Sequence, residues 1–419
     1  MKTRLLLLIS PILGMCVLTL GNGYFTTLST IELNNLGSAA WVIGVISAMY
    51  FFGMTAGPYF SQPLIARVGF IRAYAIFAAV MSISTISMGM FTNPVLWGIL
   101  RFVCGYSLAG LFIVIESWCL CAAGSENKGS VFSFYLFAYY GAQSLSQLLL
   151  NIHFSETLVA FCFVSVLASL SIIIVSTTRV DAPIPEAEGL TPPWKFFNKI
   201  PLAILTSFVG GVILGSIYTI YPLFLQDVGL GSSGLSYIMM ATVLGGMCLQ
   251  IPIGKLSDRM DRRLVIFYVL VIFIGISVLM LFIHQFYWEL LFGSFLMGGM
   301  AFVLYPLSIS HASDYVNENQ ILSVIGTLTI TYGLGSMMGP LAVSFVMEFV
   351  GPFGYFGLML AVAIPLSLYT LYRMKVRLKA KEDDKVSFSS ATAEVMGGGV
   401  VSDSNIAVEQ NMVEDGPNV

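Results

Sequence analysis

Charge is what this chain has least of. Across 419 residues, Asp, Glu, Lys and Arg make up 10%, histidine occurs three times, and the formal net charge is -3. So little polar surface cannot cover a water-soluble globule of this size. No basic field of the kind that attracts nucleic acid is present, so no nucleic-acid partner is expected. The three histidines (His153, His284, His311) form no cluster, and the first two lie between apolar runs. A membrane-embedded enzyme would need paired acids, a histidine cluster or a nucleophile beside a base, and the sequence offers none of these. It also lacks a Gly-x-x-x-x-Gly-Lys-Ser/Thr loop, so nucleotide hydrolysis is not the expected energy source. All six cysteines (Cys16, Cys104, Cys119, Cys121, Cys162, Cys248) lie inside apolar runs. They read as packing residues, because Cys119-Leu120-Cys121 has no histidine or second pair to complete a metal site. No cofactor or metal is expected.

What is abundant is apolar. Hydrophobic residues make up 57% of the chain and the mean hydropathy is +0.88. A helix needs about 20 mainly apolar residues to cross a bilayer, and twelve runs reach that length. They are Leu5 to Thr27, Trp41 to Leu64, Ala73 to Phe91, Val95 to Cys121, Val131 to Leu150 and Leu158 to Thr177, then Leu202 to Leu225, Leu235 to Ile253, Leu264 to Ile283, Trp288 to Ser310, Leu322 to Met347 and Tyr355 to Leu371. Lys2 and Arg4 precede the first run, which continues past Leu20 without a small-residue cleavage site and reads as a retained span. Of the nineteen Lys and Arg residues, all but Arg101 fall at the termini or on alternate connections. Basic residues stay cytoplasmic, so both termini are expected inside, in a multi-pass protein of the cell inner membrane.

The two sets of six runs resemble each other at an offset of roughly 193 residues. Leu20-Gly21 with Tyr24 matches Leu214-Gly215 with Tyr218, Gly53 matches Gly245, Gly105 matches Gly299, and Tyr140-Gly141 with Ser144 matches Tyr332-Gly333 with Ser336. Six is even, so the copies run parallel, as in transporters that hold a site between two halves. The expected organisation is a first six-helix bundle over 1–178, a cytoplasmic linker over 179–200, a second bundle over 201–372 and a disordered cytoplasmic tail over 373–419.

Between the eighth and ninth runs the chain reads Gly254-Lys255-Leu256-Ser257-Asp258-Arg259-Met260-Asp261-Arg262-Arg263. Asp258 is expected to accept hydrogen bonds from a following helix N-terminus and to pair with basic groups. Such a cluster either fastens two bodies in one state and releases them in another, or only anchors the topology. The matching first-half loop keeps Arg67, Gly69 and Arg72 but has Gln62 and Ala66 where the second has Gly254 and Asp258. Arg101 is the one basic residue inside a run. An ionised arginine at membrane depth costs at least ~2.5 kcal/mol, so it should face the bundle interior, as a functional group or as a clamp on helix carbonyls. Glu116 lies about 22 Å further along the same helix, too far to pair with Arg101. It is expected near the cytoplasmic end with Arg67 or Arg72, while His311 and Asp314 fall at the matching end of the tenth run near Arg259, Arg262 and Arg263. These read as pseudo-symmetric gate pairs; Glu116 as a proton carrier is the alternative.

The decapeptide resembles the major facilitator signature Gly-x-x-x-Asp-Arg-x-Gly-Arg-Arg at five of six fixed positions, Asp261 standing where that family has Gly. Arg101-Phe102-Val103-Cys104-Gly105 is similar to its second signature, Arg-x-x-x-Gly. Glu116-Ser117-Trp118 and Tyr305-Pro306-Leu307, with His311 and Asp314, are similar to a YcaD-like bacterial branch of the superfamily. The resemblance implies an all-α integral membrane fold of twelve transmembrane helices in two parallel six-helix pseudo-repeats. It also implies a monomer in the lipid bilayer that moves a small organic solute by alternating access, with protons as the coupling partner and the direction open between drug/proton antiport and metabolite uptake. The helices that line the path in this fold would supply Asn22, Tyr24, Arg101, Tyr106, Gln143, Tyr218, Gln250 and Tyr305 as substrate-binding residues. An arginine among tyrosines and amides suits an anionic or zwitterionic small molecule better than a bare metal ion. Gly335-Ser336-Met337-Met338-Gly339-Pro340 resembles an exporter string, but in exporters that string belongs to the fifth span, so helix packing is the favoured reading here. The degraded first-half loop also permits a sensor that kept the fold and lost transport.

Overall fold

The protein is described from a computed structural model that covers residues 2–123, 128–152, 154–177, 196, 199–316 and 320–376. His153, almost all of the expected linker and the tail beyond 376 lie outside the described residues. The described chain is helical: α1 (Lys2–Asn35), α2 (Ala40–Phe60), α3 (Gln62–Val68), α4 (Phe70–Met90), α5 (Pro94–Ala123), α6 (Lys128–Ser146), α7 (Thr157–Ser176), α8 (Pro201–Thr219), α9 (Tyr221–Asp227), α10 (Ser232–Arg259), α11 (Arg262–Ile283), α12 (Tyr287–Ser313), α13 (Ile321–Val350) and α14 (Gly354–Val376). In lipid each backbone group must find its partner within the segment, which is why apolar runs of this length become helices.

Eleven described segments are long and apolar enough to cross a membrane, α2 and α3 counting as one. The remaining expected span, α6, carries Tyr135, Tyr139, Tyr140, Gln143, Ser144 and Ser146, which dilute its apolar character, and it tightens into a 3-10 turn over Gln147–Asn151. Two spans are broken where the sequence reading had them continuous. Pro63 and Pro222 sit in the first turns of α3 and α9, where a residue without an N–H starts a new helix at no cost in hydrogen bonds.

The pseudo-repeat is visible in how helices touch. A Cβ on Gly53 would fall on the Phe102 carbonyl and one on Gly105 on the Tyr50 carbonyl, so α2 and α5 meet backbone to backbone. In the second half, Gly245 lies against the Phe295 carbonyl and Gly298 against the Thr242 carbonyl, joining α10 to α12 in the same way. The counterpart of Gly105 is therefore Gly298, not Gly299, which faces Leu249. Gly335 and Gly339 lie against the Phe208 and Val212 carbonyls of α8, so that string packs helices.

Two long contacts join the halves: α2 along α13 and α6 along α10. Gly44 lies against Pro340 and Ser344, Gly333 lies against Thr55, and Ser144 Oγ donates to the Met240 carbonyl at 3.3 Å. The start of α1 bonds to the end of α7 through Ser10 and Ile174, and the end of α14 meets the start of α11 through Arg373 and Arg263. The start of α1 and the end of α14 thus each meet a neighbouring helix of their own half.

Candidate substrate-binding site

Polar groups along the seam sort by height. On α1, positions 22, 23, 26 and 30 share one side of the helix, and Thr30 marks its direction by donating to the Thr219 carbonyl of the other half at 2.8 Å. Asn22 Nδ2 donates to the Tyr50 hydroxyl at 3.2 Å. The Tyr50 ring lies under the Arg101 guanidinium, 4.3 Å from its carbon, with the Phe25 ring at 5.0 Å. Arg101 is 1% exposed, its Nε and Nη1 have no hydrogen-bond partner, and Asn22 Oδ1 is likewise buried and unpartnered. Taking a charge out of water costs several kcal/mol, and a desolvated ring face offsets about 2 kcal/mol of that. Gln143 Oε1, buried and unpartnered, lies beside Gly23, while Gln147 donates to the Gly23 carbonyl and accepts from Thr27.

Nearer the termini a chain of rings crosses the bundle. Phe112 meets Tyr139 at 5.5 Å, Tyr139 meets Tyr140 at 5.6 Å, Tyr140 meets Phe302 at 5.8 Å, and Phe302 meets Tyr218 at 5.7 Å. This layer links α5, α6, α12 and α8 and so spans both halves. Beyond it lies a second polar group. Glu116 is 1% exposed beside Tyr135 and Cys119 and within electrostatic reach of Tyr305, whose hydroxyl shares a 2.8 Å hydrogen bond with Thr329. Gln250 is buried on α10.

The terminal face carries a charged clasp. Arg262 reaches Asp258 at 3.3 Å and Asp314 at 3.2 Å, joining α10, α11 and α12. Asp261 caps α11 by accepting from Arg263 N at 3.0 Å and holds the Arg263 side chain at 2.7 Å. Partial burial pushes the Asp261 carboxyl up, but the side-chain and backbone hydrogen bonds of Arg263 outweigh it and hold the carboxyl below the usual range. The helix N-terminus expected of Asp258 thus belongs to Asp261, the residue that departs from the signature. Its Asp-x-Arg spacing at a helix start was the available signal. His311 stacks edge-on with Tyr315 at 5.1 Å and acts electrostatically on Asp261. Arg259 ends α10.

Three sequence expectations are corrected. Glu116 faces the seam and is not paired with Arg67 or Arg72, whose side chains stand exposed on α3 and α4 after the helix break at Ser61. Tyr24 turns away from Asn22 to meet Phe163 of α7 at 6.3 Å, and Tyr106 meets Phe77 of α4 at 6.0 Å, so both pack within the first half. Sequence reasoning missed Phe25, Tyr50, Tyr140 and Phe302, because rings in apolar runs carry no mark of which neighbour they face.

The major facilitator sequence profile matches residues 12–278 and 220–400, most of the chain. The chain belongs to the major facilitator superfamily. Among its relatives, the uncharacterized MFS-type transporter YcaD of Escherichia fergusonii is 28% identical over 338 residues, covering 80% of this chain and 87% of YcaD. The corresponding protein of Escherichia coli O17:K52:H18 is 29% identical over 339 residues with the same coverage. The fold is similar to the crystal structure of the nucleoside transporter NupG (TM-score 0.74, 16% identity, 90% of this chain and 100% of NupG). It is also similar to a bacterial homologue of the lysosomal transporter Spinster (TM-score 0.68, 13% identity, 91% of this chain and 98% of the homologue). This major facilitator protein is a multi-pass membrane transporter of the YcaD-like branch.

Proposed function

We propose that the protein is a secondary active transporter that carries a small organic solute between its two halves by alternating access, coupled to protons. The observation that carries this reading is the arrangement of ties between the halves. On the face away from the termini, Thr30 donates to the Thr219 carbonyl, Asn34 to Gln226 at 3.1 Å, Gln226 to Asn35 at 3.3 Å, and the Ala40 amide to Glu348 at 3.0 Å. Asn151 donates to Ser236 at 3.0 Å, and Ser236 donates to the Gln147 carbonyl at 2.8 Å. These bonds form a latch beyond the buried polar group of Asn22, Gln143 and Arg101. Releasing them while the opposite end tightens is the motion the mechanism requires.

In this reading Asn22, Gln143 and Arg101 bind the solute, while Tyr218, Tyr305 and Gln250 complete the path toward the termini. Asp258, Arg259, Arg262, Arg263, His311 and Asp314 brace the gate on the terminal face. Glu116, a buried carboxyl on the seam, is suited to carry the proton. The alternating basic bias supports cytoplasmic termini in the inner membrane.

The test is counterflow of a labelled metabolite and drug panel in proteoliposomes, with and without a pH gradient. Gradient-driven accumulation of at least one solute is expected, with Glu116→Gln retaining exchange but losing the response to the gradient. Ligand binding without flux of any solute would instead favour the sensor.

A further inference from the structure

We propose that Arg101 and Asn22 form a subsite for the carboxylate of a singly charged organic acid that carries a hydroxyl or acylamino donor nearby. The proposal deepens the transport reading and rests on it, so binding and flux are measured separately.

The charge comes first. Arg101 has no ion-pair partner among the described residues, in contrast to Arg262, which pairs with Asp258 and Asp314, and Arg263, which pairs with Asp261. One buried guanidinium is neutralised by one negative charge. A phosphate dianion would bring a second, uncompensated charge into the same buried space, and a neutral solute would leave the arginine uncompensated.

Geometry narrows the class further. The guanidinium carbon lies over the faces of the Phe25 and Tyr50 rings, which offer no hydrogen-bond acceptor oxygen at the contact, so the N–H groups of the fork are left to a ligand. Nε and Nη1, the two nitrogens that are buried without partners, lie on different edges of the fork. A ligand on either edge therefore takes up one of them. A planar carboxylate matches such an edge through two parallel hydrogen bonds. Tyr50 then connects the charge to a second recognition point. Its ring supports Arg101, and its hydroxyl accepts from Asn22 Nδ2, which leaves Asn22 Oδ1 buried without a donor. A hydroxyl or amide N–H beside the carboxylate supplies that donor. Thr30 and Asn34, which tie α1 to the other half, lie about two and three turns beyond Asn22 on α1, so an acid held at Asn22 and Arg101 is enclosed on that side.

The experiment uses purified full-length protein in detergent, with thermal stability as the readout. Mandelate and hippurate are compared with mandelamide and hippuramide, their neutral isosteres, with benzoate as an acid lacking the donor and phenyl phosphate as a dianion. Both donor-bearing acids are expected to raise the midpoint at millimolar concentration, with apparent affinity at least tenfold above that of their amides. Arg101→Gln is expected to remove the shift. Asn22→Ala is expected to weaken mandelate to the level of benzoate while leaving benzoate unchanged.

Equal stabilisation by acids and amides, a larger shift with phenyl phosphate, no shift with any acid, or an undiminished shift in Arg101→Gln would each overturn the subsite. The acid-against-amide comparison needs only wild-type protein, so it decides the matter even where Arg101→Gln fails to fold. Flux of labelled mandelate into proteoliposomes separates the two readings. Binding without flux of any solute removes the transport reading and leaves the subsite; flux of a neutral solute without acid binding does the reverse.

Discussion

Asn22 and Tyr24 sit two positions apart on α1 and about 200° apart around it, so one faces the seam and the other the first-half core. Asn22→Ala is therefore expected to raise the KM of a transported solute several-fold. Tyr24→Phe, which keeps the ring on Phe163, should leave uptake within about twofold by the same flux assay. Asp261 sets a pH response. Its carboxyl is held below the usual range, so the clasp with Arg263 contributes fully above ordinary Asp titration and is lost as the pH falls through the lowered value. Asp261→Asn, still a competent helix cap, is expected to cost about 1 kcal/mol at neutral pH, and its melting temperature should depend less on pH in acid than that of the wild type. The burial of Asn22, Arg101 and Glu116 was legible in the sequence, because a polar residue inside an apolar run must turn away from lipid, although the partner expected of Glu116 was not the one it meets. The facing of Tyr24 and Tyr106 was not, because helical phase is set by the packing of neighbours that the run itself does not name.

Close helix approach depends on particular glycines. Gly53→Leu or Gly105→Val would push α2 from α5 and is expected to destabilise by about 3 kcal/mol or prevent folding, read as lost monodisperse yield. Gly141 on α6 has nothing within 4 Å of a built Cβ, so Gly141→Ala should be neutral or gain up to about 1 kcal/mol from helix propensity, read as melting temperature. Run length and the recurring offset made the spans and their order legible from sequence. The breaks at Ser61 and Ile220 and the 3-10 end of α6 were not, because Pro63, Pro222 and the α6 amides sit in runs that remain apolar enough to read as continuous. The one-residue error at Gly299 has the same origin: neighbouring glycines are equivalent in composition, and only contact distinguishes them.

At the scale of the whole molecule, the latch couples the halves through groups 85 to 308 residues apart in sequence. Joining Asn34→Cys to Gln226→Cys with a short bifunctional thiol reagent, in a background cleared of native cysteines, is expected to stop flux. A cleavable reagent should restore it on reduction; undiminished flux after complete cross-linking would show that this face need not open. The ring layer from Phe112 through Tyr139, Tyr140 and Phe302 to Tyr218 has a different consequence. A hydrophobic constriction across a polar route interrupts any continuous file of water, so at rest the molecule should conduct no current. Liposomes carrying it are expected to hold a potassium diffusion potential as long as empty ones, whereas Phe302→Ala should let that voltage decay, turning a carrier into a slow leak.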